Sequence, residues 1–177
     1  MPQHKYIIID IETLSTQHNA AVFAIAVLDH NGKGFKWFCD LTEQPAADRD
    51  DETILWWISE GATWLQARFT ESGKQRIRTA AEILADLKAL YTRNQGDVWV
   101  RGPDFDLPIL ANYFKLDDRN KLPWKYQAVR DVRTAEALTG TPEHDFTKHD
   151  PEHDCLIAKA IIDLYYNAID QRKAAQI

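Results

Sequence analysis

Cysteine is scarce in this chain, with two residues, Cys39 and Cys155, among 177. The two do not form a CxxC pair, and they are too few for a scaffold held together by disulfides. This scarcity excludes a small disulfide-rich secreted protein. Because it fits a reducing compartment, we expect a cytoplasmic protein.

Long hydrophobic runs are also missing from the sequence. The N-terminal apolar run from Tyr6 to Ile9 is interrupted by Asp10 and Glu12. It is therefore neither the core of a signal peptide nor a membrane-spanning segment. We expect a soluble protein that has no membrane partner.

Positive charge is in deficit. Lys and Arg together number 21 and Asp and Glu 27, which gives a net charge of -6 at pH 7. Such a chain has no bulk positive field with which to hold a polyanion non-specifically. The charge balance therefore excludes a histone-like or coat-like nucleic-acid binder.

Apolar residues, in contrast, are plentiful at 45% of the chain. This supply is ample for one compact core, whereas 177 residues are too few for two ordinary domains. Gly and Pro number seven each, and the sequence contains neither a repeat nor a low-complexity linker. We expect a single domain that covers residues 1–177.

The N-terminal region predicts an antiparallel meander. Runs rich in β-branched and aromatic residues occur at Lys5–Asp10, Ala21–His30 and Gly34–Leu41. The Asn31-Gly32 step between the second and third runs is typical of a tight hairpin turn. From Thr53 onward the apolar spacing becomes helical and alternates with short strands at 97–102 and 127–134. This order predicts an α/β fold, with one mixed sheet and helices on its faces.

Two carboxylates lie at the end of the first predicted strand. The two-residue period of a strand places Asp10 and Glu12 on one face of the sheet. Neighbouring acids raise each other's pKa, so a cation, a shared proton or solvation must relieve the pair. Oxygen ligands of this kind suit Mg²⁺ or Mn²⁺. The alternative is structural, with one acid in solvent and the other capping the next turn.

A second acidic position is Asp106, where a predicted strand ends and a helix begins. If Phe105 is buried, Asp106 lies near the sheet edge and Asp104 points away. One of the two acids is also a plausible helix N-cap.

The start of the final helix supplies a third position. Asp150 fits the N-cap and Pro151 the first helical position. His149 and Asp154 then become spatial neighbours. His149 can also be a solvated loop residue, and His149 with His153 provides a further alternative, a zinc site.

Several other residues are candidates for contacting a substrate. Trp56 lies off the apolar face to which Trp57 belongs, so it can either stack on a base or remain structural. We expect one or two basic residues to contact phosphate, and the candidates are Lys121, Lys125, Arg130 and Arg133. Asp131 is interpreted as a structural cap, with metal binding as the alternative.

In order along the chain, these motifs resemble those of the DnaQ-like 3'-5' exonuclease superfamily of the DEDDh kind. The matching motifs are Asp10-Ile11-Glu12, Phe105-Asp106 and His149 followed by Asp154. Further stretches resemble the branch that contains phage exonuclease A and mycobacterial exoribonuclease AS. These stretches are DIETLST at 10–16, TILWW at 53–57 and RDVRT at 130–134.

The resemblance implies an RNase H-like fold with a five-stranded mixed sheet. It implies that two Mg²⁺ or Mn²⁺ ions are held by Asp10, Glu12, Asp106 and Asp154, with His149 as the general base. Thr13 and Leu14 would bracket the terminal nucleotide.

The resemblance further implies removal of nucleoside monophosphates from a single-stranded 3' end of DNA or RNA. Two divalent ions would neutralise the four carboxylates, so the net charge of the chain does not exclude this substrate. Family members of the branch are often dimers or larger, so the resemblance implies a homo-oligomer. Two other functions stay open: an RNase H-like endonuclease, and a non-catalytic metal- or nucleic-acid-binding module.

Overall fold

A computed structural model describes residues 4–59, 66, 70–116, 121–143 and 149–176. Within these residues one mixed sheet forms the centre of the molecule. Its strands are β1 (Tyr6–Thr13), β2 (Val22–Asp29), β3 (Gly34–Cys39), β4 (Ile77–Arg78), β5 (Asp97–Val100) and β6 (Val129–Asp131). Their spatial order is β4-β3-β2-β1-β5-β6.

The strand pairings confirm the predicted RNase H-like topology. Strands β1, β2 and β3 are antiparallel neighbours, and β5 and then β6 join in parallel to β1. The strand count differs from the expected five, because β4 pairs in parallel with Phe38 and Cys39 at the edge of β3. A two-residue strand is too short to produce a recognisable alternation of apolar residues. The sixth strand could therefore not be predicted from the sequence pattern.

Six helices accompany the sheet in the described part of the chain. They are α1 (Asp51–Ser59), α2 (Glu71–Lys74), α3 (Ala80–Asn94), α4 (Pro103–Tyr113), α5 (Val132–Thr139) and α6 (Pro151–Ala174). Short 3₁₀ turns occur at Leu41–Glu43 and Tyr126–Ala128.

Apolar residues on one face of the sheet pack against α3 and α4. This cluster includes Ile7, Ile9 and Ile11 of β1 with Leu87 of α3 and Leu110 of α4. Because side chains alternate along a strand, the remaining residues of β1 project to the opposite face. The sheet is therefore covered on both sides, as its largely buried strands require.

The opposite face packs against α1, α5 and α6. Tyr6 and Ile8 of β1 contact a cluster that contains Ile161 of α6, and Trp57 of α1 joins Phe23 and Phe38 farther along the sheet. Asp10 and Glu12 follow Tyr6 and Ile8 at even spacing, so their side chains project from this same face. This face therefore combines an apolar half, which anchors α6, with a charged half at the end of β1.

Candidate active site

Asp10 and Glu12 lie on the face of β1 that is covered by α6. Their antiparallel neighbours on β2 are Ala26 and Ala24, respectively. These small side chains leave room above the sheet for two carboxylates. The predicted common orientation of Asp10 and Glu12 is thus present in the structure.

Asp154 completes a group of three carboxylates. It lies in the first turns of α6, and one carboxylate oxygen from each of Asp10, Glu12 and Asp154 lies within 4.8 Å of the others. The described residues contain no other group of three or more potential metal ligands, and no histidine belongs to this one. The geometry therefore favours an all-oxygen site over the zinc alternative.

Asp106 lies beside this group, near the start of α4. Its side chain is 5% exposed, whereas Asp104 is exposed, as expected. The Asp106 Oδ2 atom is buried, and none of the described residues forms a hydrogen bond with it. Its negative charge contributes to raising the pKa of Asp10, second only to burial. Asp106 therefore belongs to the same electrostatic site.

Burial is the main cause of raised pKa values among these acids. It raises the pKa of Asp10 and Glu12 well above their ordinary values. The charges of Asp106 and Asp154 add to the rise at Asp10, and those of Asp10 and Asp154 add to the rise at Glu12. Burial also raises the pKa of Asp154, although the His149 imidazole and backbone oppose the rise. The pKa of Asp106 is raised to about 8, again chiefly by burial. Without a cation, the site can therefore not hold all its carboxylates ionised at neutral pH.

The donor set fits divalent ions that prefer oxygen ligands. All four acids offer carboxylate oxygens, and Asp106 Oδ2 is a buried acceptor for which the described residues provide no donor. Mg²⁺ and Mn²⁺ prefer such ligands, and their positive charge would favour the ionised form of these buried carboxylates. Asp10, Glu12, Asp106 and Asp154 are the residues that would hold them.

The start of α6 is held in place by a buried ion pair. Asp150 is the N-cap, and its carboxylate accepts the backbone N–H of Glu152 at 3.0 Å. The same carboxylate, 4% exposed, contacts Lys36 Nζ through both oxygens at 2.8 and 2.9 Å. Lys36 lies on β3, so this pair connects the sheet to the turn between His149 and Asp154. The predicted cap is present, and Lys36 is a partner that the local motif did not indicate.

His149 precedes this cap and has a left-handed backbone with φ of 60°. The imidazole is exposed, and its ring packs edge-on against Trp56 with ring centroids 4.7 Å apart. Trp57 lies farther away, with a centroid distance of 6.2 Å. The contact with Trp56 restricts the orientation of an otherwise solvated ring beside Asp154. His149 is therefore near the carboxylates, as its spacing predicted.

A cavity of about 470 Å³ opens next to Glu12. Thr13 and Trp56 contribute to its wall, and Trp56 is 38% exposed. Leu14 does not line the cavity; it packs against the cluster around Trp57, whose indole N–H donates to the Thr13 carbonyl oxygen. Further wall residues are Ile11, Thr16, Asp50, Glu52, Thr53, Trp57 and Phe105. Aromatic rings and hydroxyl groups beside an acidic cluster suit a nucleoside.

Two residues near the site, Asp131 and Arg101, have partners that the structure defines. Asp131 caps α5 by accepting the backbone N–H of Arg133, which confirms its structural interpretation. Arg101 ion-pairs with Glu136, and its charge opposes the rise in the pKa of Asp10 and Asp154. The sequence around Arg101 contains no pattern that predicts this ion pair or its effect on the acidic residues.

The family comparison matches almost the entire chain. A family model described as the 3'-5' exoribonuclease Rv2179c-like domain aligns with residues 5–175. The chain belongs to this family. Its expected membership of the DnaQ-like 3'-5' exonuclease superfamily is confirmed.

Solved structures with the same fold include several of exonuclease I. The zinc-bound E. coli exonuclease I complex with single-stranded DNA has a TM-score of 0.63 and 16% identity over 94% of this chain and 41% of that chain. E. coli exonuclease I in complex with a dT13 oligonucleotide has a TM-score of 0.61 and 16% identity over 92% of this chain and 41% of that chain. This member of the Rv2179c-like family thus spans about two fifths of these enzymes.

Two further findings complete the comparison. No curated protein matches the chain. Among the described residues, none of the helices is long and apolar enough to cross a membrane.

The raised pKa of Asp106 predicts a pH-dependent stability. An unfolded chain releases this proton near pH 4, whereas the folded protein keeps it up to about pH 8. The unfolded state therefore binds fewer protons between these values, and the stability of the metal-free protein falls as the pH rises. Asp106→Asn removes this effect and should raise the melting temperature in EDTA at pH 8.

The expected rise at pH 8 is about 4 °C or more, because about 1 kcal/mol changes the melting temperature by about 2–4 °C at this chain length. The difference should shrink towards pH 5. Asp104→Asn, an exposed neighbour on the same helix, is the control and should change little. A variant less stable than wild type at pH 8 would contradict the assignment of a buried, strained carboxyl group to Asp106.

The Lys36–Asp150 pair predicts a second stability effect. Lys36→Met should lower the free energy of unfolding by about 3 kcal/mol, because it leaves a buried carboxylate without its cation. Denaturant unfolding measures this loss, and adding Asp150→Asn should recover part of it. Lys159→Met is the matched control, since Lys159 forms a more exposed pair with Asp163 that is worth about 0.5 kcal/mol. Equal losses in the two Lys variants would rule out a special role for Lys36.

Proposed function

We propose that this protein is a divalent-metal-dependent 3'-5' exonuclease that releases nucleoside monophosphates from single-stranded ends. The observation that carries the proposal is the group formed by Asp10, Glu12 and Asp154, whose carboxylate oxygens lie within 4.8 Å of one another. Membership of the Rv2179c-like family supports the reaction type. The family description names an exoribonuclease, so we expect RNA to be cleaved better than DNA.

In this proposal, four residues hold two Mg²⁺ or Mn²⁺ ions: Asp10, Glu12, Asp106 and Asp154. When bound, such ions supply Lewis acidity at the attacking and departing oxygens of the scissile phosphate. Their charge offsets that of the carboxylates, so a phosphodiester can approach without strong repulsion. Asp10 and Glu12 lie on a buried strand, which keeps the ligand positions rigid.

His149 is the proposed general base. Its imidazole lies beside Asp154, and a neutral imidazole nitrogen can accept a proton from an attacking water molecule. The edge-on contact with Trp56 orients the ring, whereas the exposed side remains open to water. An RNase H-like endonuclease, which uses acids alone, would have no role for this residue.

The terminal nucleoside is proposed to occupy the cavity beside Glu12. Trp56 and Phe105 provide aromatic surfaces on which a base can stack. Thr13 lines the same cavity, so its position agrees with a nucleotide contact. Leu14 would act from behind this wall through its packing.

Digestion of 5'-labelled single-stranded oligonucleotides tests the activity. Matched RNA and DNA strands are incubated with Mn²⁺, with Mg²⁺ and with EDTA, and the products are resolved at single-nucleotide steps. The expected result is a metal-dependent ladder that shortens from the 3' end, faster on RNA. Internal fragments would indicate an endonuclease, and no cleavage with either metal would indicate a binding module.

Substitution of the proposed base separates its role from metal binding. His149→Ala should lower kcat by about 10²- to 10⁴-fold, while Mn²⁺ affinity, measured by calorimetry, stays close to wild type. Asp10→Asn is the contrasting variant, because it should lose both activity and Mn²⁺ affinity. Unchanged turnover in His149→Ala would remove His149 from the mechanism.

A further inference from the structure

Three arginines lie in β6 or within two residues after the end of β5 or β6, and their guanidinium groups differ in their partners. Arg101 donates to Glu136 at 2.6 Å, and Arg130 pairs with Asp97 at 3.0 Å. The Arg133 guanidinium forms no ion pair or hydrogen bond with the residues that the structure describes. Its backbone N–H donates to the Asp131 cap, and its charge acts on Asp106 and Glu136. Relative to the described part of the chain, the exposed Arg133 side chain therefore has hydrogen-bond donors to offer a ligand.

Arg133 is positioned by its contact with Gly102. A Cβ atom built on Gly102 would lie 3.1 Å from Nη1 of Arg133 and 3.2 Å from its Cζ and Nη2. Three nearly equal distances mean that the flat guanidinium group lies against the backbone of Gly102. Gly102 has φ of 105°, a conformation that favours glycine, and it is the N-cap of α4. Arg133 therefore lies at the start of the helix that carries Asp106.

The acidic site separates this guanidinium group from the nucleoside cavity. Glu12 lines the cavity, Asp10 interacts with both Glu12 and Asp106, and the charge of Arg133 acts on Asp106. Neither Gly102 nor Arg133 lines the cavity. A strand whose last nucleoside fills the cavity would thus cross the carboxylates and continue towards Arg133.

We propose that Arg133 binds the substrate phosphate that lies one linkage to the 5' side of the scissile bond. This inference rests on the proposed exonuclease function. The terminal nucleotide of a 3'-hydroxyl end carries no phosphate beyond the scissile one, so the next phosphate must lie on the 5' side. A guanidinium group can donate two parallel hydrogen bonds to the oxygens of such a phosphate. It also supplies local positive charge in a chain whose net charge is -6.

A single neutral linkage in the substrate tests this subsite. Single-stranded DNA oligonucleotides carry one methylphosphonate at the second or at the third linkage from the 3' end. For the wild-type protein, neutralising the second linkage should lower kcat/KM by about 10- to 100-fold, the range of a charge-assisted contact. Neutralising the third linkage should have a much smaller effect.

Variants of Arg133 are tested on the same substrates, which gives a double-mutant cycle between the side chain and the linkage. On the unmodified strand, the kcat/KM of Arg133→Gln should be lower than that of wild type by a similar factor, mainly because KM rises. Neutralising the second linkage should then lower the kcat/KM of this variant only slightly further. Arg133→Lys should fall between wild type and Arg133→Gln, because it keeps the charge and loses the paired donors. Arg130→Gln is the control, since Arg130 is already paired with Asp97, and it should keep the wild-type sensitivity to the second linkage.

Two results would overturn the inference. One is an Arg133→Gln variant that retains the full sensitivity to the second linkage. The other is a variant whose defect follows weaker Mn²⁺ binding in the absence of substrate, which would mean that Arg133 supports Asp106 alone. If the wild-type protein cleaves no strand, the proposed function fails, and strand binding measured by fluorescence anisotropy with the same oligonucleotides still tests Arg133.

Discussion

The repulsion among carboxylates above β1 is the constraint on which the rest of the structure depends. At an effective dielectric constant of about 20, two unit charges about 5 Å apart repel each other by about 3 kcal/mol. Several such pairs, together with the cost of burial, are comparable with the stability of an ordinary domain, about 5–15 kcal/mol. The scaffold must therefore hold these acids together against a force that would separate them.

The two faces of the sheet hold the acids in place in different ways. One face is mainly apolar and packs against α3 and α4, which holds β1 in place from that side. On the other face, Tyr6 and Ile8 anchor α6 by packing against its apolar residues. The charged half of the same face then receives Asp154 at a defined position. The start of α6 is a polar turn that apolar packing does not hold, and the Lys36–Asp150 pair fixes it to the sheet.

Local patterns predicted much of this arrangement. The period of a strand placed Asp10 and Glu12 together, and the Asp150-Pro151 step identified the start of α6, since both features depend on neighbouring residues only. Lys36 and Arg133 were harder to interpret because their roles depend on partners distant in sequence. Lys36 meets Asp150 across 114 residues, and the position of Arg133 depends on the unusual backbone of Gly102. Strand β4 was missed for the same reason, because it is defined by pairing with β3.

The origin of the acidic site in two distant parts of the chain has a consequence for folding. Strands β1 to β3 pair through short connections, whereas Asp154 must return to β1 from more than 140 positions away. Loop closure over that length is entropically costly, so contacts of this kind tend to form late. Docking of α6 is also the step that withdraws Asp10 and Glu12 from water. The sheet can therefore assemble while these carboxylates are still hydrated, and the electrostatic cost of the site falls on the last closure of the chain.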